Sequence, residues 1–193
     1  MNSKKRGMLV LYTGSSGVGK GTIMQELLKR DKNIRLSVSN TTRPPREGEI
    51  DGVHYNFVTK EQFENLIQKD GYLEYAEYCG NYYGTPKQQV EDLLNQGYDV
   101  FLEIEVCGGL QIMEKYPDVL SIFVLPPSID TLEKRLRRRG TEDEETILKR
   151  LGEAKREIEC SEKYKYVVVN DRLEDAVDEI LDILKKEKSD TTE

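Results

Sequence analysis

A glycine-rich segment, residues 14–22 with the sequence GSSGVGKGT, has the composition of a loop that binds phosphate. Its four glycines let backbone N–H groups close around phosphate oxygens, and Lys20 adds a full positive charge. The apolar run MLVLYT before it predicts a buried strand, and the stretch TIMQELLKR after it predicts an amphipathic helix. This strand–loop–helix context favours a phosphate-binding loop over a plain glycine turn, which would leave the lysine unexplained.

One position departs from the usual pattern of such loops. Gly21 stands where a serine or threonine normally supplies a hydroxyl to magnesium, so no direct metal ligand is assigned. Thr22 could supply a phosphate contact or a water-mediated metal contact instead. A dinucleotide fingerprint fits poorly, because Thr22 stands where its third glycine would be. The candidate nucleotide ligands are Gly14, Ser15, Ser16, Gly17, Val18, Gly19, Lys20, Gly21 and Thr22.

A second candidate phosphate site lies in the segment SVSNTTRPPR, residues 37–46. Arg43 and Arg46 flank two prolines, which favour a polyproline II segment with three residues per turn. The two guanidinium groups then point to the same side and could share one phosphate dianion, although two solvated arginines remain an alternative. Tyr55 and Tyr83 follow in DGVHYNF and GNYYGT, and their hydroxyls could donate to the same phosphate or simply belong to half-buried strands.

The composition excludes several classes of function. With 193 residues and a net charge of −7, the chain is expected to be one cytoplasmic domain that binds neither nucleic acid nor membranes. Three cysteines without a C-x-x-C pair argue against a disulfide framework or a structural zinc site. The single histidine, His54, has no G-x-S-x-G elbow to accompany it, which argues against a Ser-His-Asp hydrolase.

Strands and helices alternate in the predicted order of elements, which indicates an α/β fold with a mainly parallel sheet. Residues 34–58 and 72–84 break the alternation and predict a small inserted β subdomain. Thr85 is expected to cap a helix with Pro86 at its first position, and Ser128 to cap a helix that ends near residue 140. Further strands are predicted over residues 99–105, 120–125 and 166–169, with helices over 60–69, 108–115, 142–162 and 173–187.

These segments together resemble the guanylate kinases over about residues 8–187. The resemblance is carried, in family order, by GSSGVGKGT, SVSNTTRPPREGEIDGVHYNF, YLEYAEYCGNYYGTP, VFLEIEVCG, RRRGTEDEETILKRL and VVVND. It implies a P-loop kinase fold with a mainly parallel central sheet flanked by helices, an inserted small β subdomain and a helical lid. The single domain, 1–193, would comprise a core (8–33, 86–127 and 163–187), a GMP-binding β subdomain (about 34–85) and a lid (about 128–162).

The resemblance also implies a reaction, transfer of the γ-phosphoryl group of ATP to GMP with Mg²⁺, and a set of site residues. The GMP phosphate would contact Arg43, Arg46, Tyr55 and Tyr83, and the guanine would contact Ser39, Glu74, Thr85 and Glu105. ATP would be held by the glycine loop, Arg135 and Asn170. The catalytic residues would be Lys20, Arg43, Arg139 and Arg150.

Several of these residues have simpler alternative roles. Ser39 could be a plain strand serine, and Arg137 and Arg138 are read as a charged, solvated helix face. Glu103 and Glu105 stand where relatives often carry aspartates, and they could be ordinary strand-end carboxylates. Cys107 stands where glutamine is common and receives no role.

Two rival functions are considered. A kinase for another monophosphate, such as AMP or dTMP, is disfavoured by Glu74 and Glu105, which suit the donor edge of guanine. A non-catalytic guanylate-kinase-like module that binds phosphopeptides would tend to lose the loop lysine and the lid arginines. Lys20, Arg135, Arg139 and Arg150 are all present. The sequence leaves the choice between monomer and homo-oligomer open.

Overall fold

The computed structural model describes residues 5–139 and 143–190, and the side chain of Arg139 lies outside that part. The strands are β1 (Leu9–Gly14), β2 (Ile34–Leu36), β3 (Asn40–Thr41), β4 (Asn56–Phe57), β5 (Tyr72–Tyr78), β6 (Asn81–Pro86), β7 (Asp99–Glu103), β8 (Leu120–Leu125) and β9 (Tyr166–Val169). The α-helices are α1 (Lys20–Arg30), α2 (Lys60–Gln68), α3 (Lys87–Asn95), α4 (Val106–Lys115), α5 (Ile129–Arg139), α6 (Glu144–Glu159) and α7 (Leu173–Asp190).

The strands form two sheets, which confirms the predicted α/β fold with a mainly parallel central sheet and a second, smaller one. The larger sheet has the order β2-β7-β1-β8-β9, with β2–β7 and β8–β9 parallel. The smaller sheet has the order β4-β3-β6-β5, and its β3–β6 and β5–β6 pairs are antiparallel. Ile34 pairs with Asp99, so residues 34–36 belong to the larger sheet and the inserted sheet begins at Asn40.

The chain divides into two compact units. The first unit comprises Met1–Leu11 and Asn33–Leu120, and the second comprises Tyr12–Lys32 and Ser121–Glu193. The first therefore holds the smaller sheet with α2, α3 and α4, and the second holds the glycine loop with α1, α5, α6 and α7. The division into core, GMP-binding subdomain and lid that the sequence predicts remains a prediction.

Aromatic stacking organises the smaller sheet in the first unit. Phe63 on α2 is fully buried and stacks between Tyr72 and Tyr82, with ring centroids 4.4 and 5.2 Å apart. The Tyr72 hydroxyl accepts a hydrogen bond of 2.9 Å from the Asn40 amide. Such pairs stabilise beyond the area they bury, and here they fix α2 against the strands that carry the candidate acceptor site.

The second unit packs its helices through apolar faces. Ile23, Met24 and Leu27 of α1 are buried, and α1 packs against α7. A separate apolar cluster joins α5 and α6. The Ser128 hydroxyl accepts from the Thr131 N–H at 3.1 Å, so Ser128 caps α5 as predicted. None of the helices in the described residues is long and apolar enough to cross a membrane.

The predicted role of Thr85 as a helix cap is wrong. Strand β6 continues through Pro86, which pairs with Tyr72, and α3 begins only at Lys87. The Thr85 hydroxyl donates to the Glu74 carboxylate across the sheet at 2.6 Å. Strand pairing and a buried acceptor therefore override the local Thr-Pro helix-start signal.

A capping box starts α2 and generates a stability prediction. The Thr59 hydroxyl accepts from the Gln62 N–H at 3.1 Å, and the Gln62 side chain accepts from the Thr59 N–H at 2.8 Å. Replacing Thr59 with alanine removes the acceptor for the Gln62 N–H and leaves the backbone N–H of residue 59 in place, so we expect a loss of about 1 kcal/mol in the free energy of unfolding. Urea denaturation would measure it. Thr59→Ser keeps the acceptor oxygen and is the control, and equal losses in both variants would contradict the capping role.

Candidate functional site

The glycine loop lies in the second unit between β1 and α1. Gly14 ends β1, and the helix begins at Lys20 with Gly19 as its N-cap. The first N–H groups of a helix have no intrahelical partner, and together with the helix dipole they favour an anion at this end. The residues of the loop thus surround a position suited to phosphate.

The Lys20 ammonium folds back onto its own loop. Its Nζ donates to the Gly14 carbonyl oxygen at 2.5 Å and to the Ser15 carbonyl oxygen at 3.3 Å. The positive charge is therefore already at the loop, held by backbone dipoles. A phosphate that binds here would replace these carbonyl oxygens as the acceptor of the hydrogen bonds from the Lys20 ammonium.

Two side chains support the loop through the Val18 carbonyl oxygen. The Asn170 amide donates to it at 2.8 Å, and the Arg135 guanidinium donates to it at 3.1 Å. Arg135 also donates to the Asn170 carbonyl oxygen at 2.9 Å, so the three residues form a closed set of hydrogen bonds. Arg135 and Asn170, predicted from the resemblance as ATP ligands, lie against the loop and position its backbone.

The loop glycines differ in what they tolerate. Gly19 has a φ of +103°, and a Cβ there would lie 2.6 Å from the Asn170 amide nitrogen. A Cβ at Gly21 would meet nothing within 4 Å. A side chain at position 19 would therefore be strained by its positive φ and crowded by Asn170, whereas position 21 has room for a Cβ.

The remaining predicted arginines of the second unit lie on two helices. Arg139 is the last residue of α5, and its side chain is outside the described part of the chain. Arg150 lies on α6 and is half-buried. Arg137, predicted to be merely solvated, pairs with Glu133 on its own helix at 2.8 Å and with Glu144 on α6.

The second candidate site lies in the first unit and centres on Arg43. Its guanidinium donates to both oxygens of Glu49, at 2.8 and 3.0 Å, and to the Pro44 carbonyl oxygen at 2.7 Å. The Arg46 N–H donates to the same carboxylate at 2.7 Å. These bonds hold the pKa of Glu49 down at about 2, with Arg43 as the largest cause and the Arg46 amide next.

Tyrosine rings surround this arginine. The Tyr55 and Tyr83 rings meet edge to face with centroids 6.0 Å apart, and the Arg43 guanidinium lies 5.6 Å from the Tyr55 ring centroid. Burial is the main reason that the pKa of Tyr55 is raised, and Tyr83, Glu49 and Glu105 raise it further while Arg43 opposes them. The Tyr55 hydroxyl therefore stays protonated and remains a hydrogen-bond donor near neutral pH.

A buried carboxylate marks another part of the same unit. Glu74 on β5 is 6% exposed, and burial raises the pKa of its carboxyl group. The hydroxyl and the backbone amide of Thr85 oppose that rise, as does the charge of Lys115. A Cβ at position 108 would lie 3.0 Å from the Glu74 Oε2, so Gly108 on α4 leaves room for the carboxylate.

The other predicted residues of this unit are placed as follows. Ser39 is half-buried just before β3, and its carbonyl oxygen accepts from the Asn56 N–H at 2.9 Å. Glu105 is exposed and is the N-cap of α4 without a capping bond from its side chain. The sequence reasoning missed Glu49 and Lys115. The only local signal for Glu49 was its position three residues after Arg46, within a turn where the Glu49 N–H donates to the Arg46 carbonyl oxygen.

The loop geometry predicts opposite outcomes for two alanine substitutions. Gly19→Ala should strain the backbone and push away Asn170, so we expect at least a tenfold weaker binding of ATP. Gly21→Ala has room and should bind ATP as the wild type does. Titration calorimetry with ATP would compare the two matched variants. Equal affinities would contradict the geometry.

The environment of Glu74 predicts how stability changes with pH. A folded-state pKa above the unfolded value means that the neutral form is favoured on folding, so stability falls as Glu74 ionises with rising pH. Glutamine stays neutral throughout. We expect the unfolding free energy of Glu74→Gln, relative to wild type, to increase from acidic to neutral pH.

Urea denaturation across that pH range would measure the difference. Glu77→Gln changes an exposed glutamate of the same strand and is the matched control. If the unfolding free energy of Glu74→Gln relative to wild type instead fell as the pH rises, the raised pKa of Glu74 would be contradicted.

Comparisons with known proteins agree with this geometry. The family model described as guanylate kinase matches residues 5–187. A guanylate kinase of Desulfitobacterium hafniense is 51% identical over 96% of this chain and 92% of its own length. One of Synechocystis is 49% identical over 95% of this chain and 96% of its own.

Solved structures give the same result. The crystal structure of guanylate kinase from Anaplasma phagocytophilum has 37% identity and a TM-score of 0.73, covering 95% of this chain and 87% of that one. A shikimate kinase structure from Bacteroides thetaiotaomicron, at 14% identity and a TM-score of 0.50, covers 92% of this chain and 98% of that one and is similar in fold alone. With its glycine loop, its arginine–tyrosine cluster and its buried carboxylate in family order, the chain belongs to the guanylate kinase family.

Proposed function

We propose that the chain transfers the γ-phosphoryl group of ATP to GMP, releasing ADP and GDP, as its family membership indicates. The observation that carries the choice of GMP is the buried Glu74 carboxylate with its Thr85 partner. Guanine presents two N–H donors on one edge, and adenine offers no matching pair. A site built on such bonds can reject the wrong analogue by roughly 10⁴–10⁵, because its polar groups would stay unpaired.

The guanine contacts follow from that carboxylate. Glu74 would accept from the N1–H and the exocyclic amino group, which would offset the cost of its burial. Thr85 holds the carboxylate in place, and its own oxygen can meet the base. Ser39 and Glu105 are proposed for the remaining polar atoms of the guanine, and the electrostatic influence of Glu105 on Tyr55 supports its place in this site.

The phosphate of GMP is assigned to the arginine–tyrosine cluster. Arg43 and Arg46 would supply the positive charge, and Tyr55 and Tyr83 would donate from their hydroxyls. A phosphate monoester is largely ionised near neutral pH, since its second pKa is about 6. The acceptor therefore needs no strong general base, and none is assigned.

ATP is assigned to the glycine loop, with Lys20 as the charge that meets its transferring phosphate. Arg135 and Asn170 would act by holding the Val18 carbonyl, and with it the loop backbone. Arg139 and Arg150 are proposed to neutralise charge as the phosphoryl group passes between oxygens. An arginine in that role contributes roughly 10³–10⁵ to the rate in related reactions.

Magnesium is proposed as the cofactor, bound mainly through the oxygens of ATP. Mg²⁺ prefers oxygen ligands and keeps several waters, so a site with few protein ligands suits it. Thr22 in the first turn of α1 is exposed and offers a hydroxyl, whereas Gly21 offers none. When bound, the ion neutralises charge on the β- and γ-phosphates. Thr22 would contact it through water or would contact a phosphate oxygen instead.

The setting of the reaction is also a proposal. We propose a cytoplasmic location, where ATP and GMP are available, and small nucleotides rather than nucleic acids as the partners, in keeping with the net charge of −7. A non-catalytic phosphopeptide module is not favoured, because Lys20 is in place at the loop and the bacterial relatives are named as kinases.

A coupled ADP-release assay with ATP and Mg²⁺ tests the function. GMP, AMP, CMP, UMP and dTMP would be offered in turn, and we expect turnover with GMP alone. Lys20→Met should lower kcat by about 10²–10³, because it removes a charge that is preorganised for the transition state.

Lys29→Met is the matched control, since Lys29 is an exposed lysine of the same helix that pairs with Glu26. Turnover of another monophosphate would keep a kinase but overturn the guanine assignment. Binding of GMP without turnover would overturn the kinase in favour of the binding module.

A further inference from the structure

Glu49 is the strongest partner of Arg43, yet no part of the proposed reaction uses it. Its two carboxylate oxygens accept from both terminal nitrogens of the guanidinium, at 2.8 and 3.0 Å. One of them also accepts from the Arg46 N–H at 2.7 Å. A single carboxylate thus holds the Arg43 side chain and the backbone of Arg46, and the side chains of both arginines are assigned to the same phosphate.

Both side chains of the pair are largely shielded from water. The side chains of Arg43 and Glu49 are 13% and 18% exposed, respectively. The Arg43 guanidinium also lies 5.6 Å from the Tyr55 ring centroid and 5.9 Å from that of Phe57. A bidentate ion pair in such surroundings has a defined geometry, whereas exposed pairs commonly have none.

The direction of the contact leaves part of the guanidinium for a substrate. Glu49 and the Pro44 carbonyl oxygen engage the two terminal nitrogens. The Tyr83 hydroxyl is a further partner of the guanidinium, and it is itself assigned to the same phosphate. Guanidinium has a second bidentate edge, formed by Nε and one terminal nitrogen, and that edge matches two phosphate oxygens.

We propose that Glu49 is a positioning residue for the acceptor phosphate: it holds one edge of Arg43 so that the other edge faces the phosphate of GMP. This inference rests on the proposed function. Glu49 itself would not touch the substrate. It would lower the entropy that Arg43 loses on binding, because a long side chain already held in one rotamer has less freedom to give up.

The ion pair persists under working conditions. The pKa of Glu49, at about 2, keeps the carboxylate ionised near neutral pH. The Glu49 carboxylate likewise raises the pKa of the Arg43 guanidinium. The positioning effect should therefore be constant around neutrality.

Steady-state kinetics of Glu49→Gln test the proposal. Glutamine keeps the size but loses the charge-assisted bidentate contact, so we expect the KM for GMP to rise roughly tenfold. The KM for ATP should stay unchanged, and kcat should change much less than the KM for GMP. Glu47→Gln, an exposed glutamate two residues away, is the matched control and should behave as the wild type.

A double-mutant cycle separates positioning from a general loss of stability. In the Arg43→Met background, Glu49→Gln should have no further effect on the KM for GMP, because Glu49 acts through Arg43. Thermal unfolding of each variant accompanies the kinetics. Glu49→Asp, which keeps the charge but is one methylene shorter, is the second variant should the glutamine variant not fold, and an intermediate KM is expected for it.

Three results would overturn the proposal alone, and a fourth would refute the proposed function together with it. A lower KM for GMP in Glu49→Gln would mean that the carboxylate competes with the phosphate. An unchanged KM would mean that Glu49 does not position Arg43, and an equal effect in the Arg43→Met background would mean that it acts elsewhere. A wild type and a Glu47→Gln variant that both fail to use GMP would refute the proposed function itself, and this inference with it.

Discussion

The burial of the Glu74 carboxylate is the constraint on which the candidate GMP site in the first unit depends. Taking a carboxylate from water costs several kcal/mol, in order of magnitude, unless donors replace the water. For Glu74 the replacement comes from the Thr85 hydroxyl at 2.6 Å, helped by the Thr85 amide and the charge of Lys115. Strand β6 extends through Thr85, and Gly108 on α4 leaves room for the carboxylate. The extent of β6 and the glycine of α4 both accommodate this one side chain.

Three arginines show that one type of side chain can have different structural roles in the same protein. Arg135 donates to backbone carbonyls and supports the loop, whereas Arg137 joins α5 to α6 through Glu133 and Glu144. Arg43 is held by Glu49 beside two aromatic rings. The planar fork of donors suits all three tasks, so the partner, and not the residue type, decides what each arginine does.

Much of the fold and the location of both candidate sites could be predicted from the sequence. The strand–loop–helix order around Lys20, the cap at Ser128 and the strand at YVVV depend on local patterns, and the structure has all three. The helix start at Thr85 was wrong, since a sheet partner 11 residues away outweighed the local signal. The closed set of hydrogen bonds among Val18, Arg135 and Asn170 could not be predicted from the sequence, because only the tertiary fold brings these residues together.

The position of the Lys20 ammonium, bonded to the Gly14 and Ser15 carbonyls, has a thermodynamic consequence. The loop carries its own solvation for the cation, so anion binding is an exchange of ligands on Lys20 and not a simple capture by a bare charge. A small, weakly charged anion gains little from that exchange, because the carbonyls it displaces were already good acceptors. Only an anion that also engages the helix N-terminus and several backbone N–H groups gains enough. We therefore expect the loop to select anions by how many of these groups they contact at once, and not by charge alone.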